Sequence, residues 1–315
     1  MIAWKAVEQR DQRLLFRVER IHNSEKNIGN KGTENVENFA LKQLTQMVYE
    51  YCGLNYQTNS ASLETKIAGR LQQLHVSVWE YIRLLEQSTA EWDVLVELLT
   101  INETYFYRED KQLAVYQNEV LPELIAQNPD RALEVWSAAC SSGEEPYSLA
   151  ITTIDSGLCP PQKVAIKGTD INKKVLQAAA SGIYNKQSLS FRRIPDRWLK
   201  HYFIEQSDTF RVIEPVKSMV AFEQLNLLDP FKMGNLRQQY DVIFCRNVLI
   251  YFDLETIKKV ASYFYQALKG GGYLFLGHAE NISTMGIGFQ TMSKNGTFYY
   301  RKESADGQAN WCNDR

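Results

Sequence analysis

The stretch DVIFCRNVLIYF, residues 241–252, decides the fold. Val242, Ile243 and Phe244 form a short apolar run beside an acid, the pattern of a strand buried on both faces. The sequence turns abruptly polar at Arg246 and Asn247. Tyr251 and Phe252 follow, and Asp253 has the chemistry of an N-cap for a helix reaching about Lys269. Polar groups at the carboxyl end of a buried strand, just ahead of a helix, mark where open α/β sheets take their ligands.

Working outward, the same alternation recurs on both sides. ALEVWSAAC (132–140) is a strand ending in small residues. SSGEEPYSLA (141–150) turns into a helix, with Pro146 in the first turn, where its missing N–H does no harm. Small residues let a ligand approach the backbone, and the helix start offers free N–H groups. The turn is not G-x-G-x-x-G, so a dinucleotide is not its natural guest. KVAIKGTDIN (163–172) is the next strand. It ends at Asp170, where an acid of a Rossmann-like unit typically holds ribose hydroxyls, and Asn172 caps the helix that follows. MVAFEQLNLLD (219–229) is a strand ending at Asn226, GGYLFLGHAEN (271–281) another. FQTMSKNGTFYYRK (289–302) is a hairpin turning at Asn295–Gly296. Residues 183–219 interrupt the alternation with aromatic and basic side chains and short β-like runs, as an inserted subdomain would.

Ahead of this sheet, residues 39–100 have helical periodicity. FALKQLTQMVYEY stops at Gly53. A second helix from Ser62 buries Leu63 and Ile67 and leaves Lys66 and Arg70 to face solvent together. Ser77 and Glu80 form a capping box for a third. Four bases stand against seven acids here, which argues against a nucleic-acid surface. Residues 3–22 also have helical spacing, 23–38 form a polar linker, and 303–315 a polar tail. TINETYFYRED (100–110) sets Asn102, Thr104 and Arg108 among three aromatic residues between the helical part and the sheet.

Composition narrows the function. The 315-residue chain is 44% hydrophobic with a net charge of −2. It can bury a sizeable core and is no general nucleic-acid binder. Its five cysteines include no C-x-x-C pair and its four histidines no H-x-x-x-H. The expectation is reduced thiols in the cytoplasm and no metal site. No run of about 18 apolar residues could cross a membrane, and the first residues lack the apolar core of a signal peptide.

Taken together, TINETYFYRE, WSAACSSGEEPYSLA, GTDIN, SGIY, NLL, FCRNVLIYF and LGHAEN resemble, in order and spacing, the motifs of the CheR family of chemotaxis receptor methyltransferases. The resemblance covers about 39–302. It implies an α/β fold: a Rossmann-like class I methyltransferase domain (101–302) that binds S-adenosylmethionine (SAM) and carries an inserted β-subdomain (183–219), preceded by an all-α receptor-docking domain (39–100). It implies methyl transfer to glutamate γ-carboxylates on the cytoplasmic helices of chemoreceptors. By the same resemblance Asn102, Thr104 and Arg108 close over SAM, Glu145 faces its methionyl part, and Asp170 holds the ribose. Asn226 and Leu227 meet the adenine, Arg246 and Asn247 flank the cofactor, and Arg108 and Tyr251 act at the transferring methyl. The chain departs from the family in its 38 leading residues and in an insertion without glycine at 202–215. Some family members hold a receptor's C-terminal pentapeptide there, and this chain is expected to work without that tether. Two other readings remain: a SAM-dependent enzyme acting on a small molecule or RNA, and a non-catalytic SAM-binding module.

Overall fold

The computed structural model describes residues 30–304. The expected helix at 3–22 and nearly all of the polar tail lie outside them. The described chain divides into two compact units, one of the chain up to Val48 with Tyr56–Glu91, the other of Tyr49–Asn55 with Trp92 onward.

The smaller unit is helical. Helix Asn30–Cys52 starts well inside the stretch expected to be a linker. No proline interrupts 30–38, and once the amphipathic part is formed each added residue gains a backbone hydrogen bond. Helix Ser60–Leu74 starts earlier than expected because Asn59 caps it, accepting from the Ser62 N–H at 3.2 Å. Ser77 and Glu80 form the expected capping box on helix Val78–Gln87. Arg70 does not face solvent beside Lys66. Its Nε and Nη2 reach the two oxygens of Glu91 at 2.8 and 2.6 Å. Glu91 is only 6% exposed, and a carboxylate so placed needs a partner.

The larger unit is built on a seven-stranded sheet: β1 (Leu133–Ala138), β2 (Val164–Asp170), β6 (Val220–Gln224), β7 (Tyr240–Cys245), β8 (Leu268–Leu276), β9 (Phe289–Lys294) and β10 (Thr297–Lys302), in the order β6-β2-β1-β7-β8-β10-β9. The first five are mutually parallel; β10 runs antiparallel to β8 and to β9. Every residue of β7 is buried. Val242 and Phe244 enter the core on one face of the sheet, Ile243 and Cys245 the core on the other, which is why the strand has no polar alternation. From β1 the chain moves outward to β2 and β6, then returns to β7 on the other side of β1. The crevice at the carboxyl ends of β1 and β7 is therefore the topological switch point, where open α/β sheets bind ligands.

The insertion holds a three-stranded antiparallel sheet, β3 (Ile183–Asn185), β5 (Thr209–Val212) and β4 (Phe203–Glu205). The hairpin β4–β5 turns at Gln206–Asp208, with the Gln206 N–H donating to the Thr209 carbonyl at 2.9 Å. Phe106 is fully buried, its ring 4.9 Å from those of Tyr184 and Phe203. It pins the 102–108 segment to the insertion. The helix expected over 111–127 is instead two helices, Asp110–Val115 and Leu121–Gln127, joined through a π-helical turn at Tyr116–Val120. Pro122, which lacks an N–H, stands just beyond the turn. Strand β8 ends at Leu276, and the rest of the motif, Gly277–Glu280, is a tight turn.

Candidate active site

The turn after β1 is made of small residues because its backbone is contorted. Ala139, Ser141 and Gly143 all have positive φ, at 55°, 51° and 92°. A side chain at Gly143 would also strike Ala179, 2.8 Å away. Two acids open the helix that follows. Glu144 is buried, bonded to Ser142 and Ser190 of the insertion at 2.7 Å each, and burial raises its carboxyl pKa. Glu145 turns toward the sheet. Ser137 donates to its Oε1 and Arg246 Nε to its Oε2, each at 2.6 Å.

At the end of β2, Asp170 is 5% exposed. It accepts the Ser141 N–H at 2.9 Å and the Asn172 N–H at 2.8 Å. Burial pushes its carboxyl up, and those N–H bonds offset part of the rise. An ionised carboxylate has about four lone-pair sites, so each oxygen keeps acceptor capacity for a hydroxyl.

At the end of β7, Arg246 is buried. Its Nη1 donates to the Arg108 carbonyl at 2.7 Å, while its Nη2 is buried with no partner among the described residues. Asn247 takes left-handed backbone, φ 61°, and its Oδ1 is likewise buried and unpartnered. Tyr251 lies on the 3-10 turn Leu249–Tyr251 and is 37% exposed. Buried polar groups without partners are costly, about 1–3 kcal/mol each. Two of them at the switch point suit a polar ligand that supplies both an acceptor and a donor.

The segment 102–108 bridges these strand ends. Ser141 Oγ donates to the Asn102 carbonyl at 3.0 Å, and Arg246 holds the Arg108 carbonyl. Asn102 Nδ2 donates to Thr100 Oγ1 at 3.2 Å. Thr104 is half-buried on the same segment. Arg108 donates to the Glu103 carbonyl at 3.0 Å and lies 5.4 Å from the centre of the Tyr105 ring. Its ion-pair candidates are taken elsewhere: Glu145 binds Arg246, and Glu109 meets His278 Nδ1 at 3.2 Å. Asn226 is more structural than its motif suggests. Its Nδ2 donates to the Tyr51 carbonyl at 2.6 Å, and its Oδ1 accepts from the Leu228 N–H at 2.9 Å. Leu227 beside it is buried.

Sequence reasoning missed Ser137, for which no local signal exists, and Glu280. Glu280 accepts the backbone N–H groups of Asn247, Val248 and Leu249 at 2.9, 2.8 and 2.6 Å, and that of Gly277 at 2.5 Å. Its signal was present in the quoted LGHAEN: an acid three residues beyond a glycine at the end of a buried strand.

This sheet order and a polar site at the β1/β7 switch point define a Rossmann-like α/β domain that binds a ligand at the ends of its parallel strands. Residues 102–298 match the family model described as "CheR methyltransferase, SAM binding domain", and the chain belongs to that family. The chain is 36% identical over 262 residues to the chemotaxis protein methyltransferase of Borreliella burgdorferi, covering 79% of this chain and 90% of the relative. It is 36% identical over 235 residues to chemotaxis protein methyltransferase 2 of Vibrio cholerae, covering 73% and 80%. It is 33% identical over 252 residues to the chemotaxis protein methyltransferase of Salmonella typhimurium, covering 78% and 84%. The cofactor is S-adenosylmethionine, and the residues present suit it: a buried guanidinium N–H and an amide oxygen without partners, an acid at the end of β2, and small residues after β1. Among the described residues no helix is long and apolar enough to cross a membrane.

Proposed function

We propose that this protein methylates glutamate γ-carboxylates on the cytoplasmic helices of chemoreceptors, giving methyl esters for sensory adaptation, and that it acts in the cytoplasm. The observation that carries this reading is the run of relatives, 33–36% identical over roughly three-quarters of the chain, named chemotaxis protein methyltransferase. The site chemistry agrees. A solvated glutamate has a pKa near ~4.3 and is already ionised at neutral pH, so no general base is needed.

Bound SAM supplies a methyl group on a sulfonium. The chain's own residues position the reactants. Asp170 accepts from the ribose hydroxyls, Asn226 and Leu227 border the adenine, and Glu145, Arg246 and Asn247 surround the methionyl part. Asn102, Thr104 and Arg108 close over the cofactor. Arg108 and Tyr251 orient the incoming carboxylate by hydrogen bonds. The rate then comes from alignment and from stripping water off the carboxylate beside the positive sulfur.

Docking falls to the helical residues 39–100. The β4–β5 hairpin has no glycine in 202–215, and its side-chain-bearing turn disfavours the close backbone approach that an added tether strand requires. Arg70 is committed to Glu91, so the encounter does not rest on it, and exposed charges that remain make it weak and salt-sensitive.

The test is transfer of labelled methyl from SAM to receptor-containing membranes of the source cell, with tailed and tailless receptor. Base-labile label, independent of the tail, is expected. Label confined to RNA or small molecules would overturn the substrate. Micromolar binding of a receptor tail peptide would overturn the tetherless docking.

A further inference from the structure

We propose that Glu280 is a positioning residue for the cofactor site, fixing Arg246 and Asn247 through the backbone that carries them. The proposal rests on the reading of Arg246 and Asn247 as cofactor residues. Glu280 is 9% exposed. Three of its four N–H donors are consecutive, Asn247, Val248 and Leu249. A backbone that alternates in hand turns consecutive N–H groups toward one point. Asn247 is left-handed at φ 61° and Val248 follows at φ −118°, ψ −45°. Such a concavity is an anion-binding nest, and here an internal carboxylate fills it.

Gly277 makes the approach possible. A Cβ there would lie 2.8 Å from Glu280 Oε2 and 2.9 Å from both the N and Nδ2 of Asn247. Glycine is required for space, since its φ is not positive. The strands themselves do not need Glu280. Cys245 and Leu276 are already in register within the β7–β8 pairing. What Glu280 adds lies beyond the last paired residues, in the turn that aims Arg246 at Glu145 and Arg108 and holds the Asn247 side chain inward. Without the carboxylate, four N–H groups lose their acceptor, and left-handed Asn247 is free to relax.

The substitution Glu280→Gln tests this, because an amide offers one acceptor oxygen and sets an NH2 group against N–H donors. SAM and S-adenosylhomocysteine affinity by calorimetry, kcat at saturating SAM and the thermal midpoint are measured on the full chain. The expected result is cofactor affinity about ten- to hundredfold weaker, the equivalent of losing one charge-assisted hydrogen bond, in protein that still unfolds cooperatively. In the double variant with Asn247→Ala the losses should be less than multiplicative, because Glu280 acts through that residue. A lower thermal midpoint with unchanged SAM affinity would make Glu280 merely structural and overturn the proposal. If Glu280→Gln fails to fold, Gly277→Ala drives the same groups apart without removing any of them; unchanged SAM affinity there overturns it equally. Should Asn247→Ala and Arg246→Lys themselves bind SAM like wild type, the cofactor-site reading fails instead.

Discussion

Arg246 Nε lies 2.6 Å from Glu145 Oε2, so the carboxyl end of β7 is joined to the first turn of the helix after β1 by an ion pair across the switch point. The side chains are 1% and 11% exposed. Burying both charges is expensive unless other bonds complete them. Ser137 completes Glu145, and the Arg108 carbonyl takes one more N–H of Arg246. The remaining Nη2 is buried without a partner among the described residues.

Arg246→Lys is therefore not conservative. One ammonium group cannot span Glu145, a carbonyl and a ligand in the fixed fork of a guanidinium. SAM affinity should fall by about 1.5–3 kcal/mol, the range for a hydrogen bond to a charged group. Calorimetry checks this, and affinity equal to wild type would mean that Nη2 does not face the cofactor.

Arg108→Ala and Tyr251→Phe should lower turnover more than cofactor affinity. Arg108 pairs with neither nearby acid, and Tyr251 is exposed on the turn that follows β7. An interaction made mainly in the transition state, when lost, lowers kcat and kcat/KM together. Steady-state kinetics beside SAM calorimetry separate the two effects. Unchanged turnover in both variants would remove these residues from the reaction.

What the sequence made legible was local. A strand buried on both faces has to be apolar wherever no partner neutralises a charge, and β7 is apolar from Val242 to Cys245. Asn172 and Asp253 cap their helices, and Asn295 and Gly296 take positive φ in their hairpin, because cap and turn chemistry act over a few residues. What stayed hidden was non-local. Arg70 finds Glu91 21 residues away, Glu280 holds N–H groups more than 30 residues earlier, and Asn226 reaches Tyr51 across 175. No periodicity encodes such contacts; they follow from where the sheet brings chain ends together. The early start of helix Asn30–Cys52 was hidden for another reason: polar residues extend a helix already formed without any apolar pattern of their own.

Cys140 and Cys245 should resist thiol reagents. Both are buried, and burial pushes each thiol well above its ordinary range, with Asp170, Glu145 and Glu280 adding negative charge nearby. The neighbouring Arg246 does not reverse this, since its charge is committed to Glu145. Thiolate is the reactive form, so modification at neutral pH should be slow at both, and faster at the half-buried Cys159. Peptide mapping after a timed pulse of iodoacetamide reads the order. Activity should survive Cys245→Ala, and rapid labelling of Cys245 with matching inactivation would contradict the assignment.

The opposite end of β7 sets the acid stability. Asp241 is 2% exposed and accepts from Arg131 Nη1, the Glu134 N–H and Lys269 Nζ at 2.8, 2.8 and 2.9 Å. It thus ties the starts of β1, β7 and β8 together. Burial alone would raise its carboxyl pKa, but Arg131, the Glu134 N–H and Lys269 outweigh burial and hold it below its usual value. A depressed carboxyl pKa contributes stability that is present above the unfolded value, ~3.9, and is lost as pH falls through the folded value. Asp241→Asn should cost about 2–3 kcal/mol at pH 7, less than a fully buried pair because the Arg131 side chain is 40% exposed. The gap between variant and wild type should then close as pH drops below about 4. Urea unfolding across that range measures it, and a gap independent of pH would show that packing, not charge, is what the substitution removes. SAM affinity of the folded variant should match wild type, because Asp241 and Arg246 stand at opposite ends of the strand.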